Sequence, residues 1–382
     1  MSLIFDATLP PTSAQTHALV IGIDDYPHLL GGSKSRQQPA ANSFGLSQLT
    51  SPGVSASAFV NWLSTLANRK APLGTVDLLL SPGTHINTAG QRAPVDLPTM
   101  ANIKSAYRAW IAKTNANSTN VAIFYYCGHG LEKEGATILL PSDFGDPSEA
   151  NISERMIDFS LTYDCTLLES RAETQLFLID ACRETPLQLL ALRTTPTALV
   201  STTKLQQQPR DAPIFQAANS GLQAHGQTGQ ISFFTEALIA CLSKFGARGK
   251  NNNKWEVSTN SLGQAMKCYM RRLKRAGLPP LVCDVGAGMS NFDSVIHYLS
   301  GQVYVMSSVD CDPDAALAHA EITINDGAAA IHSRNNPQPE PFEFDVPAGQ
   351  YDVQVHFPAQ NFTDKNCPQL MQPPFTPCTI EV

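Results

Sequence analysis

The sequence predicts an α/β protein in which a mostly parallel sheet flanked by helices is followed by an all-β sandwich. Three observations carry that prediction. Short apolar runs rich in branched residues alternate with stretches whose apolar residues recur at the helical period. Most of these runs end in turn material or glycine. From about Gly301 the helical period disappears and short alternating runs take over. A chain of 382 residues exceeds the usual size of a single core, which suggests a large domain over 1–300 and a smaller one over 301–382.

The elements follow in order. HALVIGID, His17 to Asp24, is the first strand, closed by DDYPHLLGGS. A helix capped by Ser55 or Ser57 places Phe59, Val60, Leu63 and Leu66 on one face, and VDLLL, Val76 to Leu80, is the next strand. A second helix opens near Thr99 and aligns Ile103, Tyr107, Trp110 and Ile111. The strand VAIFYY, a small hairpin through ATILLP (136–141) and the strand QLFLID, Gln175 to Asp180, come next. After Arg183 a polar stretch rich in Thr, Gln and Pro reads as a mobile loop as far as Pro213. PIFQAA is a fifth strand, and two helices follow, around Phe233–Cys241 and Leu262–Leu273. In the last domain QVYVMSS, AEITIND, PFEFDVPAG and YDVQVHF alternate as sandwich strands.

Composition narrows the function. Hydrophobic residues make up 43% and charged residues 15%, and no run of about 18 apolar residues suggests a membrane span. The amino terminus lacks a basic segment followed by an apolar one, so a cytoplasmic location is expected. Nine cysteines without paired metal spacing read as free thiols, with neither a zinc site nor any other metal or cofactor expected. A net charge of −7 gives no support for nucleic-acid binding. The one basic cluster, RRLKR at Arg271 to Arg275, reads as a solvated helix end.

Chemistry concentrates at two strand ends. VAIFYY runs into Cys127, Gly128, His129 and Gly130, while QLFLID runs through Asp180 into Ala181, Cys182 and Arg183. In an open parallel sheet ligands bind outside the carboxyl ends of the strands, so adjacent strands present His129 and Cys182 to one crevice. A thiolate is the nucleophile, and an ordinary cysteine is mostly protonated near neutral pH, so a neighbouring imidazole must take its proton. The same imidazole can protonate a leaving amine, and the N–H groups of Gly130 and Cys182 are candidates to hold the oxyanion. The glycines are expected to let a substrate carbonyl approach the backbone. Cys127 reads as a buried packing thiol, and His225 as part of a substrate wall.

With these motifs the chain resembles the caspase and metacaspase peptidases. The resemblance runs from His17 to about residue 295 through HALVIGIDDY, YYCGHG, LIDACR and ISFFTEALIACL. It implies a caspase-haemoglobinase fold with a large-subunit-like part over 1–200 and a small-subunit-like part over 212–300. It also implies a His129–Cys182 dyad. The acid two residues before the nucleophile is similar to the metacaspase S1 residue, so Asp180 implies selection of Arg or Lys at P1. Where metacaspases usually carry a second acid this chain has Ser55, with Asp24 and Asp25 as candidate substitutes. Arg183 keeps open the aspartate selectivity of true caspases. The loop after the nucleophile corresponds to the caspase intersubunit linker, and its Arg193, Lys204 and Arg210 are candidate processing sites for the enzyme itself or an upstream activating protease. No acidic loop with calcium-ligand spacing stands out.

The expected function is therefore a cysteine endopeptidase acting on protein or peptide substrates after Arg or Lys. By analogy with prokaryotic relatives it is expected in defence or cell death. Two alternatives stand beside it: an inactive caspase-like scaffold that recruits partners through the sandwich, and a cysteine hydrolase or transpeptidase acting on a non-protein acyl group.

Overall fold

The structure, a computed structural model, describes residues 3–65, 69–87, 89–204, 210–224, 226–251, 253–273, 280–286 and 293–382. Its central sheet contains β1 (Leu3–Asp6), β2 (Thr16–Ile23), β3 (Leu73–Ser81), β4 (Val121–Cys127), β5 (Thr174–Asp180), β6 (Ile214–Gln216) and β7 (Asp284–Gly286) in the spatial order β1-β3-β2-β4-β5-β6-β7. The five inner strands are parallel, and β1 and β7 run antiparallel at the edges. Neither edge strand stands out in the sequence, because each is short and lacks a period. The registers pair Gly22 with Cys127 and Cys127 with Asp180, so β2, β4 and β5 end level with one another. That alignment brings the two predicted strand ends to one place.

Helices cover both faces. On one side α2 (Met100–Thr114) and α3 (Phe159–Glu169) supply Tyr107, Trp110, Phe159 and Tyr163 to a core shared with Leu19, Ile21, Phe124 and Phe177. Thr99 caps α2 as the sequence predicts, accepting the Asn102 N–H at 3.3 Å, whereas α3 was not anticipated. On the other side lie α1 (Pro52–Thr65) and α4 (Phe233–Ala240). Phe59 of α1 stacks on Tyr125 at 5.0 Å, and Thr235 of α4 meets the Tyr125 hydroxyl at 2.6 Å. Helix α1 begins at Pro52, ahead of the predicted Ser55 or Ser57 caps, because the fixed φ of proline suits a first helical position. The predicted hairpin forms between Gly130–Lys133 and Ala136–Leu139, turning through Glu134 and Gly135 at φ 53° and 84°.

The chain divides into two compact units, residues 1–239 with 273–296 and residues 240–272 with 297–382. The second therefore takes in a segment that the sequence assigns to the large domain. It contains an unpredicted hairpin, Ala247–Asn251 with Lys254–Ser258, and α5 (Thr259–Arg272). Its C-terminal part is a sandwich of two sheets. Strands β8 (Tyr304–Asp312), β11 (Phe342–Pro347) and β14 (Phe375–Glu381) pair in the order β11-β8-β14. Strands β9 (Glu321–Asp326), β10 (Ala329–Arg334), β12 (Gly349–His356) and β13 (Lys365–Met371) pair in the order β10-β9-β12-β13. Val305, Val346 and Ile380 of one sheet share a core with Ile324, Val353 and Met371 of the other.

The basic cluster is not a freely solvated face. Arg272 pairs with Asp345 at 2.8 Å, and the Arg271 guanidinium lies 5.8 Å from the Phe375 ring centre. Lys274 and Arg275 lie outside the described residues. Among the described residues no helix is long and apolar enough to cross a membrane.

Candidate active site

A cleft of about 570 Å³ lies at the carboxyl ends of β2, β4 and β5 and is lined by His129, Cys182 and Asp180. Residues 44–52 form one wall, and Gln223, Ala224, Gly226 and Thr228 line the cleft as well, the 226–229 segment being joined to Thr50 and Ser51 by hydrogen bonds. His225 lies outside the described residues.

His129 is held from several directions. Its N–H donates to the Tyr26 hydroxyl at 2.8 Å, and the two rings lie 4.7 Å apart. Its carbonyl accepts the Leu140 N–H at 3.1 Å, and the Tyr126 hydroxyl donates to it at 2.9 Å. Nε2 lies 2.6 Å from the Ser47 carbonyl. A carbonyl can only accept, so Nε2 carries the proton and Nδ1 is the basic nitrogen. Burial lowers the imidazole below its ordinary pKa, with the Ser47 bond acting in the opposite direction.

Cys182 follows β5 and is a free, partly exposed thiol. The Ala224 N–H points at its Sγ from 3.3 Å. Burial raises the thiol above its ordinary pKa, partly offset by that N–H, while Glu184 and Asp180 raise it further. With the thiol raised and the imidazole lowered, both groups in this cleft are neutral at rest.

The glycines also have a packing reason that the sequence does not show. A Cβ on Gly130 would lie 2.6 Å from the Cys182 carbonyl and 2.7 Å from the Ala181 methyl. A Cβ on Gly128 would meet the hydroxyls of Tyr126 and Tyr26, both at 2.9 Å. The protein's own neighbours leave no room for a side chain at either position. The Leu140-to-His129 bond leaves Gly130 opposite Leu139 in a non-hydrogen-bonded pair, so its N–H is not used by that ladder.

Asp180 is 4% exposed, and its carboxylate accepts from Ser232 and, at 3.0 Å, from Thr235. Burial raises its pKa, while the Ser232, Cys127, Thr235 and Tyr125 side chains pull it back. Among the described residues no cation pairs with it. Ser55 is buried in α1 and accepts the Ser232 N–H at 2.9 Å. Asp24 binds the Gly53 N–H at 3.1 Å, and burial lifts its carboxyl to about 6. Neither Asp24 nor Asp25 lines the cleft.

Arg183 turns elsewhere, pairing with Glu132 at 2.9 Å and Asp284 at 3.1 Å. It is not a cleft cation. Cys127 is buried, and desolvation followed by the Asp180 charge pushes its thiol well above the ordinary value, as suits a packing residue. Among the described residues no group of three His, Cys, Asp or Glu could hold a metal ion.

The loop after the nucleophile is more tied down than its composition predicts. It contains a short helix, Leu187–Leu190, and buries Leu189 and Leu199. Thr197 exchanges backbone bonds with Met156 and Asp158, and Lys133 Nζ donates to the Leu192 and Thr194 carbonyls at 2.9 and 3.1 Å. Arg193 is exposed, and Lys204 is exposed and bound to Glu169 at 2.9 Å. Arg210 is buried at 6% exposure, with its guanidinium on the Ser170 carbonyl. Residues 205–209 lie outside the described residues.

Sequence reasoning missed Tyr26, Ser47, Gln48, Ala224 and Ser232. Only Tyr26 had a local signal, its place just past the first strand.

A family model described as Caspase domain matches residues 15–283. The uncharacterized protein y4kE of Sinorhizobium fredii is 28% identical over 267 residues, spanning 69% of this chain and 76% of that protein. Two solved structures, protein GSU0716 from Geobacter sulfurreducens and caspase-1 from Spodoptera frugiperda, match at a TM-score of 0.41 and 13% identity each. The first match covers 71% of this chain and 92% of the other, and the second 78% and 95%.

Proposed function

The chain belongs to the caspase-domain family, and from that premise we propose that it is a cysteine endopeptidase with His129 as general base and Cys182 as nucleophile. The observation that carries this reading is the Nε2–Ser47 contact at 2.6 Å, which leaves Nδ1 basic in a histidine that shares the cleft with Cys182. Nδ1 takes the Sγ proton, and the thiolate attacks the scissile carbonyl carbon. The N–H groups of Gly130 and Cys182 receive the oxyanion. Collapse breaks the C–N bond as the imidazolium protonates the leaving amine. Water then attacks the thioester, passes a proton to His129, and the released sulfur recovers the thiol.

Asp180 is the proposed S1 residue. Its carboxylate lines the cleft without a cation among the described residues, which favours Arg or Lys at P1. Arg183 is already neutralised by two carboxylates, which weighs against an aspartate-selective pocket. If the enzyme is processed after basic residues, exposure favours Arg193 and Lys204 over Arg210.

Fluorogenic peptides ending in Arg, Lys or Asp test the reading against a Cys182→Ala control. Turnover of the Arg and Lys peptides by the wild type alone is the expected result. Turnover by Cys182→Ala would remove the dyad, and preference for Asp would remove the S1 assignment. A folded protein inert towards all three would favour the scaffold.

A further inference from the structure

Glu184 is a cleft residue that the proposed chemistry leaves without a role. Beyond β5 the chain bends at Ala181 and then pairs again: Glu184 bridges Leu131 in a parallel sense, and its carbonyl accepts the Glu132 N–H at 2.8 Å. Asp180, Ala181, Cys182 and Glu184 all line the cleft, whereas the Arg183 guanidinium is bound by Glu132 and Asp284.

Asp180 pairs with Cys127 and Glu184 with Leu131, so Cys182 lies along the chain between two cleft carboxylates. Among the described residues lining the cleft there is no Lys or Arg. Gln223 Nε2 donates to Glu184 Oε1 at 2.8 Å, which orients the carboxylate without neutralising it. Taking Asp180 as the S1 acid, we propose that Glu184 is a second specificity residue, binding a basic side chain at P1′ or P2′, so that the preferred substrates carry basic residues on both sides of the scissile bond.

This assignment rests on the proposed peptidase reading and adds a substrate class to it. It also has a consequence for the thiol. Burial is the main reason that Cys182 is held above its ordinary pKa, but Glu184 and Asp180 contribute. A substrate with two cations would offset both negative charges as it binds.

The test uses internally quenched peptides with Arg at P1 and Arg, Ala or Glu at P2, P1′ or P2′, cleaved by the full-length protein. The wild type is expected to prefer Arg over Ala at P1′ or P2′ by about fivefold or more in kcat/KM, as suits a partly solvated charge pair. Glu184→Gln, which keeps the reach and an oxygen for Gln223, should reduce that ratio to near one. Glu184→Lys should invert it in favour of Glu. Because each ratio is taken within one enzyme, changes in folded fraction cancel. A wild-type ratio near one, a ratio unchanged in Glu184→Gln, or a Glu184-dependent preference confined to P2 would overturn the proposal while leaving the peptidase reading intact. Loss of P1 selectivity for Arg with the primed preference retained would instead remove Asp180 as the S1 residue. Inertness towards every peptide would remove both.

Discussion

The two halves of the proposed dyad are held very differently. His129 is fixed through its N–H, its carbonyl, Nε2 and its ring face. The wall behind it is fixed in turn by Gln48, whose Oε1 accepts the Tyr26 N–H at 2.8 Å. Its Nε2 donates to the carbonyls of Tyr26 and Leu30 at 3.0 and 3.1 Å. Among the described residues the Cys182 sulfur is held only by the backbone of Ala224, accepting its N–H at 3.3 Å and donating to its carbonyl at 3.9 Å. The contrast fits the proposed tasks. A base that takes and returns a proton has to keep one tautomer and one orientation, whereas a nucleophile has to advance and form a bond.

The strongest way to break this comparison is to remove either group. His129→Ala and Cys182→Ala should each lower kcat by about 1000-fold or more, because residues that act as a unit lose most of the rate together. The double variant should lose little beyond either single one, and additive losses in a kinetic cycle would show that the two do not work as a pair.

Asp180→Asn should follow in size. It removes the charge that a basic P1 residue would pair with, so kcat/KM for Arg peptides is expected to fall by about 30-fold or more. Alkylation of Cys182 by iodoacetamide should change far less. An equal loss in both assays would place Asp180 behind the nucleophile instead of in the pocket.

Gln48 sharpens the histidine side. Gln48→Met keeps the length and removes the amide clamp, and kcat should fall about tenfold with a smaller change in KM, since the base is misplaced rather than the substrate. Gln48→Glu retains an acceptor for the Tyr26 N–H but loses the donors, and should not restore the rate. A pure loss of stability would lower the active fraction without altering the pH dependence of kcat/KM, so the pH profile separates a positioning residue from a structural one.

The cysteine side is tested by pH. Cys182 titrates above its ordinary value and His129 below it, so the resting pair is neutral at pH 7. The alkylation rate should therefore keep rising through the alkaline range in which the thiol deprotonates, and Glu184→Gln should move that rise to lower pH. A plateau from mildly acidic pH onward would instead mark a preformed thiolate–imidazolium pair.

Ala224→Pro makes the smallest predicted change. It deletes the N–H that favours the thiolate, so the alkylation profile should shift upward by a few tenths of a pH unit. Amide hydrogen exchange at Gly221 and Arg183, whose N–H groups bond to the Arg183 and Leu222 carbonyls, can check that the 221–224 segment still folds against Arg183. A downward shift would mean that this N–H does not stabilise the sulfur.

What could be read from the chain was local. Strands β2 to β6 announced themselves as apolar runs, and Cys127-Gly-His129 and Asp180-Ala-Cys182 as polar residues at the ends of two of them. Because parallel strands align at their carboxyl ends, that pattern was enough to bring His129 and Cys182 to one crevice. Edge strands of three or four residues and α3 left no comparable signal. The Thr- and Gln-rich stretch after Arg183 read as mobile because polar composition does not reveal that Lys133 and Thr162 will satisfy its backbone.

By itself, then, the sequence determined the parallel inner strands of the sheet, the two strand ends that carry the proposed chemistry, and the change of texture at the C-terminal sandwich. Only tertiary structure decided how those groups are held and aimed. Ser47 reaches His129 across 82 residues, and Tyr26 reaches it across 103. Arg183 turns to Glu132 and Asp284, leaving Glu184 to the cleft. Periods of 2 and 3.6 residues record which face of an element is buried. A hydrogen bond between distant segments leaves no period, because its partners meet only after the sheet has formed.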